Sequence, residues 1–187
     1  MTTIDAPSTA PASVVSGSAD RRLRWGSGIM AAAGLGFIAY ALIFFVRNFT
    51  DSFLELGIGP NEVDVGKDAI REFSPALYHY ISHLHIAVSG FIAAAGLATA
   101  ALAWFGVRRG QRWAWVAAVA TPVLGLAVAL PAHYPNDFDT LGHLGLIYAD
   151  TVLFVVGAVL ALAAGGHGRR HEPATSIRSL ENDVSDG

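Results

Sequence analysis

The segment ALYHYISHLHIAVSGFIAAAGLATAALAWF, residues 76–105, decides the fold class of this chain. It contains no Asp, Glu, Lys or Arg, and it is longer than the ~20 apolar residues that cross a ~30 Å hydrocarbon core. Three further stretches meet or approach that length: Trp25–Val46, Trp113–Pro131 and Leu141–Ala164. The hydrophobic content of 53% agrees with this pattern. We therefore predict an all-α, integral membrane four-helix bundle.

The positive charges predict how the bundle is oriented. Nine of the 12 Lys and Arg residues lie before the first stretch, between the second and third, or after the fourth. By the positive-inside rule, both termini and the RRGQR turn at 108–112 are expected in the cytoplasm of a plasma-membrane protein. All four Trp residues lie at the same ends of the stretches, where indole rings favour the headgroup layer. Retention at an anionic leaflet explains the basic residues, so no nucleic-acid partner is expected.

The absence of cysteine limits the chemistry that the chain can perform. Disulfides, thiolate zinc sites, iron–sulfur clusters and covalently attached c-type haem are excluded. A redox site would have to use His, Asp, Glu or Tyr ligands.

The polar segments divide the chain into a membrane domain and two tails. We predict disordered tails at residues 1–20 and 166–187, a membrane domain at 21–165, and an outer loop at 47–75. Within that loop, FTDSFLELGIG (49–59) suggests a short interfacial helix, and VGKDAIREF (65–73) suggests a second one. Pro75 is expected as the first residue of the second span, and Asp139 or Thr140 as the N-cap of the fourth.

Five of the seven histidines fall near one end of the predicted bundle, and a carboxylate lies just beneath them. The residues are His79, His83, His85, His133, His143 and Asp150. Ionisable groups inside a membrane are costly and tend to mark functional sites. His79 and His83 are four residues apart, and His143 and Asp150 are seven apart, so each pair shares a helix face.

Three readings of this cluster remain open. In the first, a transition metal (Cu, Fe or Zn) binds to ligands chosen from His79, His83, His133, His143 and Asp150, with His85, Tyr78 and Tyr148 supporting them. In the second, His83 and His143 hold haem b axially. In the third, the polar groups bond to one another and stabilise helix packing without any cofactor. Ser82 and Ser89 lie near histidines, which adds a metal-dependent lipid hydrolase as a more distant reading.

Several passages resemble a family of small membrane proteins. AIREFSPALYHYISH (69–83), the glycine-bearing second span, GVRRGQRWAW (106–115) and DTLGH (139–143) are together similar to DoxX-like or DUF4345-like four-helix proteins. The resemblance covers about residues 25–164. It implies a four-helix bundle and carries over no catalytic residue.

The leading expectation is an outward-facing His/Asp cluster that binds a transition metal or haem in a redox or membrane-oxidoreductase-associated role. The alternative is a non-catalytic accessory subunit of a membrane complex. Besides the lipid bilayer, other membrane subunits or further copies of the chain are the partners that such roles would need.

Overall fold

A computed structural model describes residues 12–50, 58–138 and 140–167, and all regular elements in these ranges are helical. The α-helices are α1 (Ala12–Thr50), α2 (Pro60–Val63), α3 (Lys67–Phe73), α4 (Pro75–Ala101), α5 (Arg112–Ala129) and α6 (Leu141–His167). A π-helical turn (Leu102–Gly106) and a 3-10 turn (Val107–Arg109) extend α4, and two 3-10 turns (Leu130–Ala132 and Tyr134–Asn136) follow α5. The predicted all-α class is confirmed.

Four segments are long and apolar enough to cross a membrane: Gly17–Thr50, Pro75–Arg109, Arg112–Ala132 and Leu141–Ala164. Large apolar side chains point away from the protein along these helices, among them Phe91 and Val128, which are 77% and 80% exposed. Such surfaces are stable only against hydrocarbon, since a soluble protein rarely exposes continuous apolar faces. The chain is a multi-pass membrane protein.

Local chemistry fixes three of the helix ends. Pro75 is the first residue of α4, and the Ser74 hydroxyl caps the helix by accepting a hydrogen bond from the Leu77 N–H at 3.3 Å. The Thr140 hydroxyl accepts from the His143 N–H at 3.3 Å at the start of α6. Gly110 has a φ of 74°, the left-handed conformation in which glycine ends a helix at little cost.

The first helix begins earlier than the sequence predicts. Residues 12–20 belong to the predicted tail, yet they continue α1 upstream from the first span. No proline occurs between Ala12 and the span, so nothing in the sequence interrupts the helix there. The remainder of both predicted tails, 1–11 and 168–187, lies outside the described residues, as does 51–57 in the predicted interfacial helix. The second predicted loop helix is present as α3.

Close glycine contacts hold α1 against two neighbours. A Cβ added at Gly34 would lie 2.7 Å from the Gly96 carbonyl of α4, and one added at Gly26 would lie 2.7 Å from the Gly157 carbonyl of α6. Both distances are shorter than real side-chain contacts allow, so only glycine lets these backbones approach so closely. Dispersion across such contacts drives helix association in lipid.

The bundle has two halves of different character. The half at the Arg108–Arg112 turn, here called the arginine half, contains the apolar core: Met30, Ala31, Ala33, Ala103, Val107, Ala114, Ala118, Phe154, Ala158 and Ala161. The opposite half, here called the histidine half, includes the second half of α1, the start of α4, the end of α5 and the start of α6. Its buried residues include several polar side chains, namely Asn48, Ser89 and His143.

Candidate functional site at the histidine end

His133 and His143 are two candidate ligands whose rings lie close together. Their ring centroids lie 5.0 Å apart with the planes tilted by 32°. His143 is in the first turn of α6 and is completely buried, whereas His133 is half-buried in the turn after α5. The short connection between the two helices therefore brings the imidazoles together.

The His133 ring has a defined tautomer in its neutral form. Its Nδ1 lies 2.9 Å from the Ala129 carbonyl oxygen, which can only accept a hydrogen bond. Nδ1 must therefore carry the proton, and Nε2 of the neutral ring carries the lone pair. Histidines that bind metals usually donate their other ring nitrogen in this way.

The three histidines of α4 have separate surroundings. His85 is half-buried, with its Nδ1 3.3 Å from the Ile81 carbonyl and its ring 4.7 Å from the ring of Phe44 on α1. His79 is exposed and meets Tyr78 edge to face at 5.5 Å. His83 is exposed as well.

Tyr78 also connects α4 with α3. The Arg71 guanidinium donates a hydrogen bond to the Tyr78 hydroxyl at 2.9 Å and lies 4.4 Å from the centre of its ring. The structure therefore places this tyrosine between His79 and an arginine. Tyr148, the other tyrosine predicted to support a ligand, shares a 3.1 Å hydrogen bond with the Tyr134 hydroxyl.

The predicted ligands do not converge as one set in the described ranges. Within residues 12–50, 58–138 and 140–167, no three His, Asp or Glu side chains are grouped so that they could hold one metal ion. Asp150 lies seven residues after His143, which is about 10 Å along the helix axis. The structure thus brings His133 and His143 together, whereas Asp150 lies at a different depth in the bundle.

Asp150 lies in an apolar cavity between α1 and α6. The cavity has a volume of about 480 Å³ and is lined by Gly36, Phe37, Ala39, Tyr40, Leu146, Ile147, Ala149, Asp150 and Leu153. The carboxylate is directly against Gly36, because a Cβ added there would collide with Oδ1. Oδ2 is buried and has no hydrogen-bond partner in the described part of the chain.

A second cavity of about 390 Å³ lies between all four long helices. Phe37, Tyr40 and Ile147 contribute to both cavities, and Phe91, Thr121 and Pro122 are among the residues that line only this one. Space therefore remains between the helices in the part of the bundle nearest the histidines.

One polar contact of this half was not anticipated from the sequence. The Asn48 amide donates a hydrogen bond to the Ser82 hydroxyl at 2.9 Å and so joins α1 to α4. Asn48 was predicted to lie in the outer loop because the first apolar stretch ends at Val46. Neither glycine nor proline occurs between Val46 and Thr50. This absence of helix-breaking residues is the signal that could have extended the predicted span beyond Val46. Ser82 thus has Asn48 as its hydrogen-bond partner, and Ser89 donates to the Ile86 carbonyl at 2.8 Å.

Comparisons of the chain with protein-family models, with curated proteins and with solved structures give no match. The interpretation of the site therefore depends on the residues themselves.

Proposed function

We propose that this protein binds a transition metal ion at the histidine end of its bundle, through the paired imidazoles of His133 and His143, and serves a redox role in the membrane. The separation of the two rings carries the proposal. With metal–nitrogen bonds of about 2.0–2.1 Å, two imidazoles on neighbouring positions of one ion hold their centroids roughly 4.5–5 Å apart. The observed 5.0 Å agrees with that value.

The surroundings of His133 support the same reading. Its Nδ1 donates to the Ala129 carbonyl, which orients the ring and leaves the Nε2 lone pair for a metal. Two protein ligands leave open positions for water, a substrate or another subunit. Imidazole suits copper, iron and zinc, and a redox role requires copper or iron.

The arginine distribution supports an orientation. Because Arg24, Arg108 and Arg112 flank the arginine half, we infer that this half faces the cytoplasm of a plasma-membrane protein. The histidine pair would then face the outside, where a metal or an electron donor arrives without crossing the membrane.

The experiment is metal analysis of the detergent-purified protein, followed by titration of the metal-free protein with Cu²⁺ and Zn²⁺. His133→Ala is the variant to use, since this side chain is only half-buried and its removal should leave the fold intact. His79→Ala is the matched control, because His79 lies at the same end and is exposed. We expect His133→Ala to weaken metal binding at least about tenfold and His79→Ala to leave it unchanged.

Equal binding by the two variants would reject the His133–His143 site. An absorption spectrum of the same sample separates the other readings. A Soret band that is lost in His83→Ala would indicate haem. A protein that binds neither metal nor haem would favour the accessory-subunit alternative, and the search would turn to membrane partners.

A further inference from the structure

We propose that the α1–α6 cavity is a binding site for a lipophilic organic cation, with the Asp150 carboxylate as its counter-ion. This site is distinct from the imidazole pair and takes a different class of ligand. It therefore goes beyond the metal-binding function proposed above.

The first support is the chemistry of the cavity wall. Apart from Asp150 and the phenol of Tyr40, all the lining side chains are apolar or absent: glycine, alanine, phenylalanine, leucine and isoleucine. A wall of this kind favours ligands that have hydrocarbon or aromatic surfaces. A volume of about 480 Å³ lies within the range of roughly 300–1,000 Å³ that is usual for small-molecule sites.

The second support is the carboxylate itself. Its Oδ2 atom is buried and has no hydrogen-bond partner among the described residues, and no Lys, Arg or His lines the cavity. The Lys and Arg residues lie towards the ends of the spans or beyond them, the nearest in sequence to Gly36 being Arg47 of the same helix. A carboxyl group in hydrocarbon is stable when it is protonated or when a cation is paired with it, so a cation that enters with its own apolar surface can take the place of the proton.

The third support is the position of Gly36. A Cβ at this residue would collide with Asp150 Oδ1, so the absence of a side chain is what permits the carboxylate to lie against α1 at the cavity. The carboxylate is thereby in contact with a neighbouring helix.

The test is binding of tetraphenylphosphonium to the full-length protein in detergent, compared with the neutral triphenylphosphine. We expect saturable binding of the cation, no saturable binding of the neutral compound, and at least a tenfold weaker affinity in Asp150→Asn. Asp137→Asn is the matched control: it removes a carboxylate from the exposed turn after α5 and should leave the affinity unchanged.

Leu153→Trp provides a second variant in which the carboxylate stays. The larger side chain fills part of the cavity, and we expect it to weaken cation binding at least tenfold as well. Equal affinity in the wild type, Asp150→Asn and Leu153→Trp would overturn the proposal, and so would a wild-type protein that binds no cation. His133→Ala should bind the cation like the wild type, so failure of the metal site and failure of this site are distinguishable.

Discussion

The arginine half and the histidine half are built from the same four helices but differ in what fills the space between them. In the arginine half, small side chains and glycines bring the backbones together, and Ala103, Ala114 and Ala118 are completely buried. In the histidine half, two apolar cavities of about 480 and 390 Å³ lie between the helices. The arginine half also has a cavity, of about 430 Å³, which lies at its arginine turn and is lined in part by Gln111 and Arg112. We infer that one half supplies the stability of the bundle and the other is available for binding.

This division follows from the lipid that surrounds the protein. In lipid, apolar side chains gain little by leaving hydrocarbon, so stability depends on close packing and on hydrogen bonds between helices. Close packing is incompatible with an empty cavity at the same place. Close helix contacts and cavities therefore occupy different positions along the helices, as the Gly34–Gly96 contact and the cavity beside Gly36 show.

The largest difference in the free energy of unfolding should appear when a methyl group is added to α6 once in each half. Gly157→Ala, in the arginine half of α6, places a Cβ 2.8 Å from the Gly26 carbonyl and from the Met30 N–H, both of them backbone groups. The helices must move apart, and we expect a loss of about 1–3 kcal/mol in the free energy of unfolding. Reversible unfolding in mixed detergent micelles measures this loss.

Gly145→Ala is the control within the histidine half of α6. A Cβ at this position meets no atom within 4 Å. Since alanine is the better helix former, the free energy of unfolding should stay the same or rise by up to roughly 1 kcal/mol. Equal destabilisation at the two positions would contradict the division into halves.

The elements of this fold are largely contained in local sequence. The apolar stretches predict the four spans. Ser74 and Thr140 mark helix starts through hydrogen bonds within three residues, and Pro75 does so through its fixed backbone angle. Such features need no knowledge of the neighbouring helices. This is why the class, the spans and the starts of the second and fourth spans could be predicted.

The composition of the site could not be predicted in the same way. Lipid-facing and core-facing positions are both apolar, so the sequence contains no amphipathic pattern that sets the rotation of each helix. Spacing along α4 favours His79 and His83 as a pair, yet both are exposed, while His143 pairs with His133 from another element. The position of Gly36 against Asp150 likewise depends on how α1 and α6 cross.

A smaller effect is expected at the polar contact between α1 and α4 in the histidine half. Asn48→Ala and Ser82→Ala each remove one partner of the 2.9 Å hydrogen bond. A double-mutant cycle should give a coupling energy of about 0.6 kcal/mol, the usual value for such bonds in membrane proteins. A coupling near zero would mean that the Asn48–Ser82 hydrogen bond does not hold α1 to α4, which would sharpen the contrast with the arginine half.

The smallest effect is expected at the exposed surface of the histidine half. Tyr134→Phe removes the hydroxyl that lies 3.1 Å from Tyr148, and the Tyr134 side chain is more than half exposed. Because an exposed hydroxyl is solvated again when the bond is lost, the free energy of unfolding should change by less than about 0.5 kcal/mol. Metal affinity is the more informative readout of this variant, since Tyr134 is the neighbour of His133. An unchanged affinity would show that the Ala129 carbonyl alone orients the His133 ring, whereas a loss would assign part of that orientation to the tyrosine pair.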